Sequence, residues 1–587
     1  MSRRHRNVFS EKLPEPKLSV SVGQYSDKGR KAVNQDFYGF RVPAEPQLSS
    51  KGVAVALADG IGSSEVSQVA AEFAVMGFLD DYYCTSETWS VKKSVERVLD
   101  ATNSWLHSRT HQSQYRYDKD RGFVCTLSGL VFKSTTAHVF HVGDTRIYRL
   151  QSGSLEQLTQ DHRVWVSGDE SYLSRAIGFN PQIEIDYRSL EIERGDVFVL
   201  ATDGVHEHVD GRFVAAAIRG AQGSLDEAAR AIVAEAYRRG SGDNLTVQIV
   251  AVEDIPQHGI SELQQQLARL APAPLLEARA EIDGYRIVRE IHASARSHIY
   301  LALDLQTEAL VALKTPSTDM QGDRDHLERF LMEEWIARRL NSPHVLKPCL
   351  QSRKRNYLYV VTEYVEGQTL TQWMIDNPKP ALETVRGIVE QIAKGVQAFH
   401  RMEMLHQDLR PENIMIDSTG TVKIIDFGST RVAGVVESAS PDERVYPLGT
   451  VQYTAPEYFL GEAGTTRSDI FSLGVISYQM LSGKLPYGAE AARTRTKAAQ
   501  RKLRYQSLLG EHREIPAWID AALRKAVQPD PYQRYEELSE FIHDLRHPNQ
   551  ALLNEKDPPL IDRNPLFFWK CVSFILAIVI ALLLLFR

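Results

Sequence analysis

Residues 405–413 read LHQDLRPEN and residues 424–428 read IIDFG. The two stretches contain Asp408, Asn413 and Asp426. Upstream, VALK ends in Lys314 and LMEE contains Glu333, which supplies a pair of opposite charges. One such run can arise by chance in a loop, but a whole series in fixed order cannot plausibly do so.

Further motifs continue this series toward the C-terminus. YTAPE contains Glu457, RSDIFSLGV contains Asp469 and DPYQRY contains Arg534. The set resembles the eukaryotic-like Ser/Thr protein kinase family over about residues 285–545, and its order and spacing are highly specific. The resemblance implies a bilobal protein-kinase fold, which we place at residues 281–547.

The resemblance also implies a role for each motif residue. Lys314 would hold the α- and β-phosphates of ATP, oriented by Glu333, while Asp408 would accept the proton of the substrate hydroxyl. The remaining implied contacts are Asn413 and Asp426 to Mg²⁺, Arg410 beside the γ-phosphate in place of the usual lysine, Ile291 and Ile299 beside the nucleotide, Glu363 and Val365 at the hinge behind Thr362, and Arg534 to Glu457.

Two segments depart from the kinase pattern. The glycine-rich loop reads IHASARSHIY, with His292, Ser294 and Ser297 at the three glycine positions, so the backbone has less freedom to close over phosphates. HQD stands where HRD is usual, so Gln407 lacks the charge that pairs with a phosphorylated activation segment. An active kinase is the favoured interpretation, and a nucleotide-binding pseudokinase is the alternative.

Five aspartates stand at strand-to-turn positions in the N-terminal half: Asp36 in VNQD, Asp59 in ALADG, Asp144 in HVGDTRIY, Asp203 in LATDG and Asp243 in SGDNLTV. Each by itself is typical of an ordinary turn. Together they offer carboxylates on rigid supports, and such oxygen ligands suit Mg²⁺ or Mn²⁺.

The order NQD, ADG, GDTR, TDG and GDN resembles the metal-dependent (PPM, type 2C) protein phosphatase family over about residues 20–254. The resemblance implies two packed antiparallel sheets flanked by helices, with a two-metal site at one edge. In that site Asp59 would bridge both metals, Asp203 and Asp243 would complete one, and the carbonyl of Gly60 would help to hold the other. Asp36 would act through a water, and Asp144 would hold a third, weaker metal.

Two features of the phosphatase pattern are open. The family's phosphate-binding arginine has no exact counterpart in SDKGRKAVNQD, so Arg30 or Lys31 is expected to serve. A lysine would bring a point charge rather than a bidentate fork. No histidine follows the ADG motif, which leaves the general acid unassigned.

Composition and charge exclude some classes of protein. The chain has 587 residues, 43% hydrophobic and 24% charged, with a formal charge of −7, which is globular and gives no basic excess for nucleic-acid binding. The four cysteines form no CxxC pair, which favours a reducing compartment over a disulfide framework or a zinc site.

The C-terminal stretch 566–586 reads LFFWKCVSFILAIVIALLLLF, with Lys570 its only charge. Its 21 residues would span about 31 Å as a helix, close to the hydrocarbon thickness of a bilayer. Arg563 and Lys570 favour a cytosolic position for the preceding chain. We therefore predict a transmembrane helix that anchors the protein to the cytoplasmic face of the cell membrane.

The predicted organisation is multidomain α+β: a phosphatase sandwich (18–254), a linker (255–280), a kinase (281–547), a juxtamembrane linker (548–565) and the membrane helix. The order resembles bacterial bifunctional kinase/phosphatase chains, with proteins carrying Ser/Thr or their phosphates, this chain included, as partners. ATP with Mg²⁺ and the phosphatase metals are the expected cofactors. A phosphatase regulated by a pseudokinase, and a membrane scaffold without activity, are the other hypotheses.

Overall fold

The computed structural model describes residues 17–553, with gaps at 152, 168–169, 222, 257–269, 321, 350–352, 438–451 and 510–514, together with Trp569 and Ser573. Its contacts divide the chain into two compact units. The first contains residues 1–365, 398–406 and 426–445, and the second contains residues 366–397, 407–425 and 446–587. The first unit thus includes the whole N-terminal domain and the strand-rich part of the domain that follows.

The N-terminal domain alternates strands with a few helices. Its strands are β1 (Ser19–Asp27), β2 (Phe37–Arg41), β3 (Val53–Ala58), β4 (Leu127–Lys133), β5 (Thr136–Val142), β6 (Arg146–Gln151), β7 (Ser154–Gln157), β8 (Arg163–Ser167), β9 (Glu170–Leu173), β10 (Asp186–Glu191), β11 (Val197–Ala201) and β12 (Leu245–Asp254). Its helices are α1 (Gln47–Lys51), α2 (Ser67–Cys84), α3 (Val91–Gln112), α4 (Asp203–His206), α5 (Gly211–Gly220) and α6 (Leu225–Arg238).

Two antiparallel five-stranded sheets form the centre of this domain, in the orders β1-β12-β11-β6-β7 and β10-β5-β4-β3-β2. Strand β3 shows why they are stacked between helices. Ala54, Ala56 and Ala58 pack with α2 and α3, whereas the alternate residues Val53, Val55 and Leu57 pack against the sheet that contains β11 and β12. The strand is therefore buried on both faces and reads as one continuous apolar run. The predicted two-sheet sandwich flanked by helices is confirmed.

The register of the two sheets brings several strand ends to one edge of the sandwich. Phe37 at the start of β2 pairs with Ala58 at the end of β3, and Leu127 at the start of β4 pairs with Val142 at the end of β5. In the other sheet, Ala201 at the end of β11 pairs with Val247 near the start of β12. The segments that precede or follow these residues carry the predicted aspartates.

The remainder of the chain is strand-rich first and helical later, as predicted. Its strands are β13 (Ala271–Pro272), β14 (Glu281–Ile282), β15 (Tyr285–Ala293), β16 (Ser297–Asp304), β17 (Leu310–Pro316), β18 (Tyr357–Leu358), β19 (Val360–Glu363), β20 (Gly367–Thr369), β21 (Met404–Leu405), β22 (Ile414–Asp417), β23 (Val422–Ile424) and β24 (Arg431–Val432). Its helices are α7 (Arg324–Ala337), α8 (Leu370–Asp376), α9 (Leu382–Arg401), α10 (Ala433–Val436), α11 (Thr466–Ser482), α12 (Lys497–Gln500), α13 (Ala517–Ala526), α14 (Leu538–Arg546) and α15 (Gln550–Leu553).

In the first unit, this domain contributes a five-stranded sheet in the order β14-β15-β16-β17-β19, together with α7. Ala273 and Leu276 belong to the same buried cluster as Tyr285 and Tyr300 of that sheet. Strand β13 also pairs in parallel with β18. Residues 271–276, which the sequence assigned to the linker, therefore pack as part of the second domain.

The second unit is mostly helical, and its central helix α11 is buried along most of its length. Thr465 caps its N-terminus in a reciprocal capping box with Ser468, and Gly483 ends it with a left-handed φ of 70°. The three-stranded sheet β20-β22-β23 lies in the same unit.

No helix in the described part of the chain is long and apolar enough to cross a membrane. The predicted transmembrane segment, residues 566–586, lies outside the described residues apart from Trp569 and Ser573. The predicted membrane helix therefore stays a prediction.

Candidate active sites

The five predicted aspartates of the N-terminal domain lie at the edge where the strand ends meet. Asp59 directly follows β3, and Asp144 is separated from the end of β5 by Gly143 alone. Asp203 is the first residue of α4, just after β11. Asp36 precedes β2, and Asp243 lies in the turn before β12. Strand ends are rigid supports, so the sheet register determines which carboxylates face one another.

Two threonines from the opposite sheet hold Asp36. Its Oδ2 accepts hydrogen bonds from Thr202 Oγ1 at 3.1 Å and from Thr246 Oγ1 at 2.6 Å. Its other oxygen, Oδ1, is buried and has no partner among the described residues, and the same holds for Oδ1 of Asp203. Buried oxygens of this kind are costly unless something binds them, so a cation is the fitting partner.

The pKa shifts of these carboxyls indicate the same deficit of positive charge. Burial, opposed by the threonine hydrogen bonds, raises the pKa of Asp36 to about 7. Burial and then the charge of Asp203 raise the pKa of Asp144 to about 6. Burial and the charges of Asp36 and Asp203 also raise the pKa of Asp59 well above its usual range. The donor set of hard oxygens in a buried, mutually repelling cluster therefore fits Mg²⁺ or Mn²⁺.

Gly60 lies where only glycine fits. A Cβ atom at this position would lie 2.8 Å from Ser67 Oγ and 2.9 Å from the carbonyl oxygen of Gln35. The amide of Gly60 donates to that same carbonyl at 3.2 Å, which fixes the turn after β3. The predicted role of its own carbonyl toward a metal stays a prediction.

Arg163 is a residue of this cluster that the sequence did not reveal. Its Nε lies 2.6 Å from Asp144 Oδ2, and its two terminal nitrogens lie 2.8 Å from Asp203 Oδ2 and 2.6 Å from Glu207 Oε1. Its position at the start of β8 gave no motif signal. In the structure it neutralises two of the predicted metal ligands.

Among the described residues, no three acidic, histidine or cysteine side chains come together closely enough to enclose a metal ion as they stand. In this arrangement Arg163 pairs with Asp144 and Asp203, and Lys31 pairs with Asp243. Cations in the cluster would compete with these two side chains for the carboxylates.

The structure separates the two candidates for the phosphate-binding side chain. Arg30 donates to the carbonyl oxygens of Ser241 and Tyr237, at 2.8 Å and 3.3 Å, and lies over the ring of Tyr237. Its guanidinium is thus used in holding the loop before β12. Lys31 instead contacts Asp243 inside the cluster, so Lys31 is the better candidate.

In the first unit, the second domain contains a buried ion pair. Lys314 Nζ lies 2.6 Å from Glu333 Oε2, which joins β17 to α7, and this confirms the pair predicted from the sequence. Burial alone would lower the pKa of Lys314, but the charges of Glu333 and Asp426 raise it above its usual range. Lys314 is therefore fully charged and fixed in position. Asp426 Oδ1 accepts from the Gly428 amide at 2.9 Å.

Serine side chains close the loop that lacks glycines. Strands β15 and β16 form a hairpin in which the Ser294 amide donates to the Ser297 carbonyl at 3.0 Å. Ser294 Oγ accepts from the amides of Arg296 and Ser297, at 3.3 Å and 3.1 Å. The turn thus keeps its shape through side-chain hydrogen bonds to its own backbone, which is a known property of serine.

In the second unit, the HQD segment has a defined geometry. Asn413 Nδ2 donates to the carbonyl oxygen of Asp408 at 2.9 Å and to its Oδ2 at 3.1 Å. Arg410 Nε lies 3.7 Å from the same Asp408 oxygen. Gln407 takes a left-handed φ of 65°, and its amide donates to Asp469 Oδ1 at 3.1 Å. Asp469 therefore fixes the backbone on which Asp408 is presented.

The predicted Arg534–Glu457 pair is confirmed. The two terminal nitrogens of the Arg534 guanidinium donate to the two carboxylate oxygens of Glu457, at 2.8 Å and 2.7 Å. The Arg534 side chain is 0% exposed and that of Glu457 is 4% exposed. Four further predicted residues lie in the described part of the chain: Val365 is buried, Ile291 is exposed, Glu363 ends β19, and Ile299 of β16 pairs with Lys314 of β17.

A carboxylate cluster on a two-sheet sandwich, and a Lys–Glu pair in a domain that also carries an Asp–Asn pair, are arrangements typical of proteins that handle phosphoryl groups. Residues 24–236 match the family model described as protein phosphatase 2C, and residues 285–549 match the model described as protein kinase domain. The chain thus carries a protein phosphatase 2C domain followed by a protein kinase domain.

Individual relatives are similar to one domain at a time. The serine/threonine-protein kinase PrkC of Bacillus subtilis is 31% identical over 279 residues, which is 46% of this chain and 42% of PrkC. The chain therefore spans less than half the length of that relative. The structure of the serine/threonine phosphatase PstP/Ppp of Mycobacterium tuberculosis covers 40% of this chain and 99% of its own, with 22% identity and a TM-score of 0.34. The match to the structure of the PknI kinase domain of Mycobacterium tuberculosis covers 46% of this chain and 99% of the PknI chain, with 25% identity and a TM-score of 0.36.

Proposed function

We propose that this protein is a bifunctional signalling enzyme that phosphorylates protein Ser/Thr with ATP and hydrolyses phosphoSer and phosphoThr. The observation that carries the proposal is that the predicted acidic residues of each domain are held in charged or hydrogen-bonded contacts. In the first domain the charges of four other aspartates act on Asp59, and in the second the Lys314–Glu333 and Asp408–Asn413 pairs are formed. A chain kept only as a scaffold would have no reason to retain buried, mutually repelling carboxylates.

In the phosphatase, Asp59, Asp203, Asp243 and the Gly60 carbonyl would hold two divalent cations, with Asp144 available to a third. When bound, such cations supply the positive charge that neutralises a phosphate and acidifies the attacking water. Thr202 and Thr246 hold Asp36 in place through its Oδ2, which leaves Oδ1 as the oxygen without a hydrogen-bond partner among the described residues. Lys31 would then contact the substrate phosphate as a point charge.

In the kinase, Lys314 would hold the α- and β-phosphates of ATP, and Asn413 and Asp426 would bind Mg²⁺. Asp408 would take the proton of the substrate hydroxyl, and its carboxylate is already oriented by Asn413. Arg410, which lies near Asp408, supplies the charge that the family's lysine would bring to the γ-phosphate.

The two domains would have opposed activities, and because they are in one chain they would act on the same substrates, including this chain itself. A tether of this kind raises the effective concentration of one domain at the other to about the millimolar range. The phosphatase would therefore remove phosphate that the kinase places on the same molecule.

The test is the incorporation of labelled phosphate from ATP with Mg²⁺ or Mn²⁺ into the full-length chain. The Asp59→Asn chain should accumulate label that the wild type does not retain, and adding Asp408→Asn should abolish it. Equal labelling of wild type and Asp59→Asn would contradict the phosphatase half of the proposal. Label that persists in the double variant would contradict the role given to Asp408.

A second function is favoured by the serine-closed loop between β15 and β16. If Ser294 and Ser297 prevent productive ATP binding, the kinase domain is a nucleotide-binding regulator of an active phosphatase. In that event the Asp59→Asn chain would bind ATP, measured by calorimetry, and still incorporate no label. The formed Lys314–Glu333 pair favours the active kinase over this alternative.

We also propose that residues 566–586 anchor the protein in a membrane, with both domains on the cytoplasmic face. The support is the length and apolar character of this segment, with Arg563 and Lys570 near its N-terminal end. The full chain should sediment with membranes and resist extraction by salt and carbonate, whereas a chain that ends at Ile561 should not. Equal distribution of the two chains would refute the anchor.

A further inference from the structure

The phosphatase domain contacts the kinase domain inside the first unit, through a short surface that contains residues 86–91 and Lys133. We call this surface the docking segment. Its partner in the kinase domain is formed by residues 401–403 and by residues 433–437, and the second of these stretches begins five residues after Gly428.

Gly434 has both backbone groups taken by the phosphatase domain. Its amide donates to the Thr88 carbonyl at 3.0 Å, and its carbonyl accepts from Lys133 Nζ at 2.6 Å. A Cβ atom on Gly434 would lie 2.5 Å from the Glu87 carbonyl oxygen and 2.8 Å from that of Trp89. The three nearest atoms to that position all belong to the docking segment, so glycine is required here for contact between the domains.

Glu437 is held by two groups of the phosphatase domain. Its carboxylate accepts from the amide of Val91, the first residue of α3, at 3.1 Å and 3.0 Å. It also lies 3.2 Å from Lys133 Nζ. The helix N-terminus and the lysine together make this a favourable position for a carboxylate.

Two further contacts extend the surface. Glu403 Oε2 accepts from the amide and the hydroxyl of Ser90, at 2.7 Å and 2.8 Å, and Trp89 Nε1 donates to the Arg401 carbonyl at 3.1 Å. Arg339, just beyond the end of α7, lies 2.7 Å from Glu87. The docking segment therefore also reaches the helix that carries Glu333.

Two buried lysines of the phosphatase domain stabilise this surface, and one of them, Lys133, belongs to the docking segment. Lys51 is 2% exposed, and its Nζ donates to Thr85 Oγ1, the Ser86 carbonyl and Ser94 Oγ. Lys133 is 1% exposed, and among the described residues its ion-pair partner is Glu437 of the other domain. Burying an ammonium group without a partner is costly, so the position of Lys133 is explained by the docked kinase segment.

On the kinase side, the contacted residues are connected directly to the reacting groups. Val432 pairs with Met404 in the two-stranded β21–β24 ladder, and the Ala433 amide donates to the Glu403 carbonyl at 3.0 Å. This ladder begins three residues after Gly428. The docking segment contacts residues 433–437, just after this ladder, and this contact restricts the conformations that Asp426 can take. The contact between Glu87 and Arg339 restricts those of α7 in the same way.

We propose that the docked phosphatase domain is a built-in activator of the kinase, which positions Asp426 and Glu333 by holding residues 433–437 and α7. The docking segment thereby takes over the ordering role that a phosphate on the activation segment would have, for which Gln407 lacks the charge. This inference rests on the proposed kinase activity. The residues of the docking segment are positioning residues and touch neither substrate nor nucleotide.

The test measures phosphoryl transfer to casein by full-length chains that all carry Asp59→Asn. Gly434→Ala and Lys133→Met should each lower kcat by about tenfold, a typical size for coupling between sites, with a smaller change in KM for ATP. Gly387→Ala, where the added methyl group meets open space, and Lys92→Gln, on the exposed face of α3, are the matched controls and should leave kcat unchanged.

Two further measurements separate docking from folding. In chains that keep Asp59, Gly434→Ala and Lys133→Met should retain manganese-dependent hydrolysis of p-nitrophenyl phosphate. Hydrogen exchange of residues 431–437 should become faster in both variants if the docking contact is lost. Arg339→Gln, a milder change at a partly exposed ion pair, should lower kcat in the same direction without loss of stability.

The outcomes are distinguishable. Unchanged or raised kcat in Gly434→Ala, together with faster exchange, would overturn the activator role and leave the proposed function standing. Unchanged exchange in both variants would overturn the contact itself. Absence of label in the Asp59→Asn parent would overturn the proposed kinase function, and this inference with it.

Discussion

Replacing Asp59 by asparagine should lower the manganese-dependent hydrolysis of p-nitrophenyl phosphate by about 10³-fold in kcat, comparable with the loss of a central electrostatic group in other enzymes. Asp59 follows β3 at the centre of the cluster, and the charges of Asp36, Asp203, Asp144 and Asp243 all act on it. The amide has the same shape but no charge, so it would bind the two proposed cations more weakly.

A second measurement checks the physical cause of that loss. A ligand that binds only the folded state raises its stability in proportion to ln(1 + [L]/Kd), so Mn²⁺ should raise the unfolding temperature of the wild type. This rise should largely disappear in Asp59→Asn, whereas the metal-free unfolding temperature should not fall, since a buried repelling charge has been removed.

Asp196→Asn is the matched control for this prediction. Asp196 pairs with Arg149 before β11, at the opposite end of that strand from Asp203. The same chemical change there should leave hydrolysis within a factor of about three, as expected for a site outside the cluster. An Asp59→Asn protein that retains more than a tenth of the wild-type rate would show that the cluster is not the catalytic site.

Arg534→Met should lower the free energy of unfolding of the kinase domain by about 3–5 kcal/mol, the usual cost of breaking a buried ion pair from one side. The substitution leaves the Glu457 carboxylate buried at 4% exposure without its guanidinium. It also removes the donors that satisfy the carbonyl oxygens of Gln528, Arg467 and Pro529. The expected fall in unfolding temperature is about 10 °C for a domain of this size.

Calorimetry of the full chain measures this effect, because Mn²⁺ should shift the transition of the phosphatase domain and leave that of the kinase domain in place. Arg546→Met is the control: Arg546 pairs with Glu383 and Glu390 but is 36% exposed, so its loss should cost less than about 1 kcal/mol. Equal effects of Arg534→Met and Arg546→Met would mean that burial of the Glu457 pair adds nothing to stability.

Many residues of the candidate sites could be predicted from the sequence, because they stand at strand ends in a fixed order along the chain. Asp59 and Asp203 each follow an apolar run, and these runs proved to be β3 and β11. Lys314 and Glu333 were likewise predicted as a pair, and their nitrogen–oxygen distance is 2.6 Å. Such residues act through local motifs, which a sequence displays directly.

Other parts of the sites had no local signal. Arg163 reaches Asp144 and Asp203 across the edge of the sandwich from β8, and its neighbours in sequence form no motif. Thr202 and Thr246 lie next to predicted residues, yet their hydrogen bonds to Asp36 depend on the packing of one sheet against the other. The sequence also could not decide whether Arg30 or Lys31 binds the substrate phosphate. The structure favours Lys31, because the Arg30 guanidinium donates hydrogen bonds to the carbonyl oxygens of Ser241 and Tyr237.

The amino-acid sequence alone was sufficient to indicate a phosphatase-type domain followed by a kinase-type domain, their acidic residues and the missing glycines of the kinase loop, because each of these depends on residues that are close together along the chain. The contact of Gly434 and Glu437 with the docking segment could be established only from the tertiary structure. Its partners are more than 300 positions apart in the chain. In the sequence Lys133 is an ordinary strand residue. In the structure it is a buried charge beside Glu437, and a buried charge is explained only by the group that neutralises it.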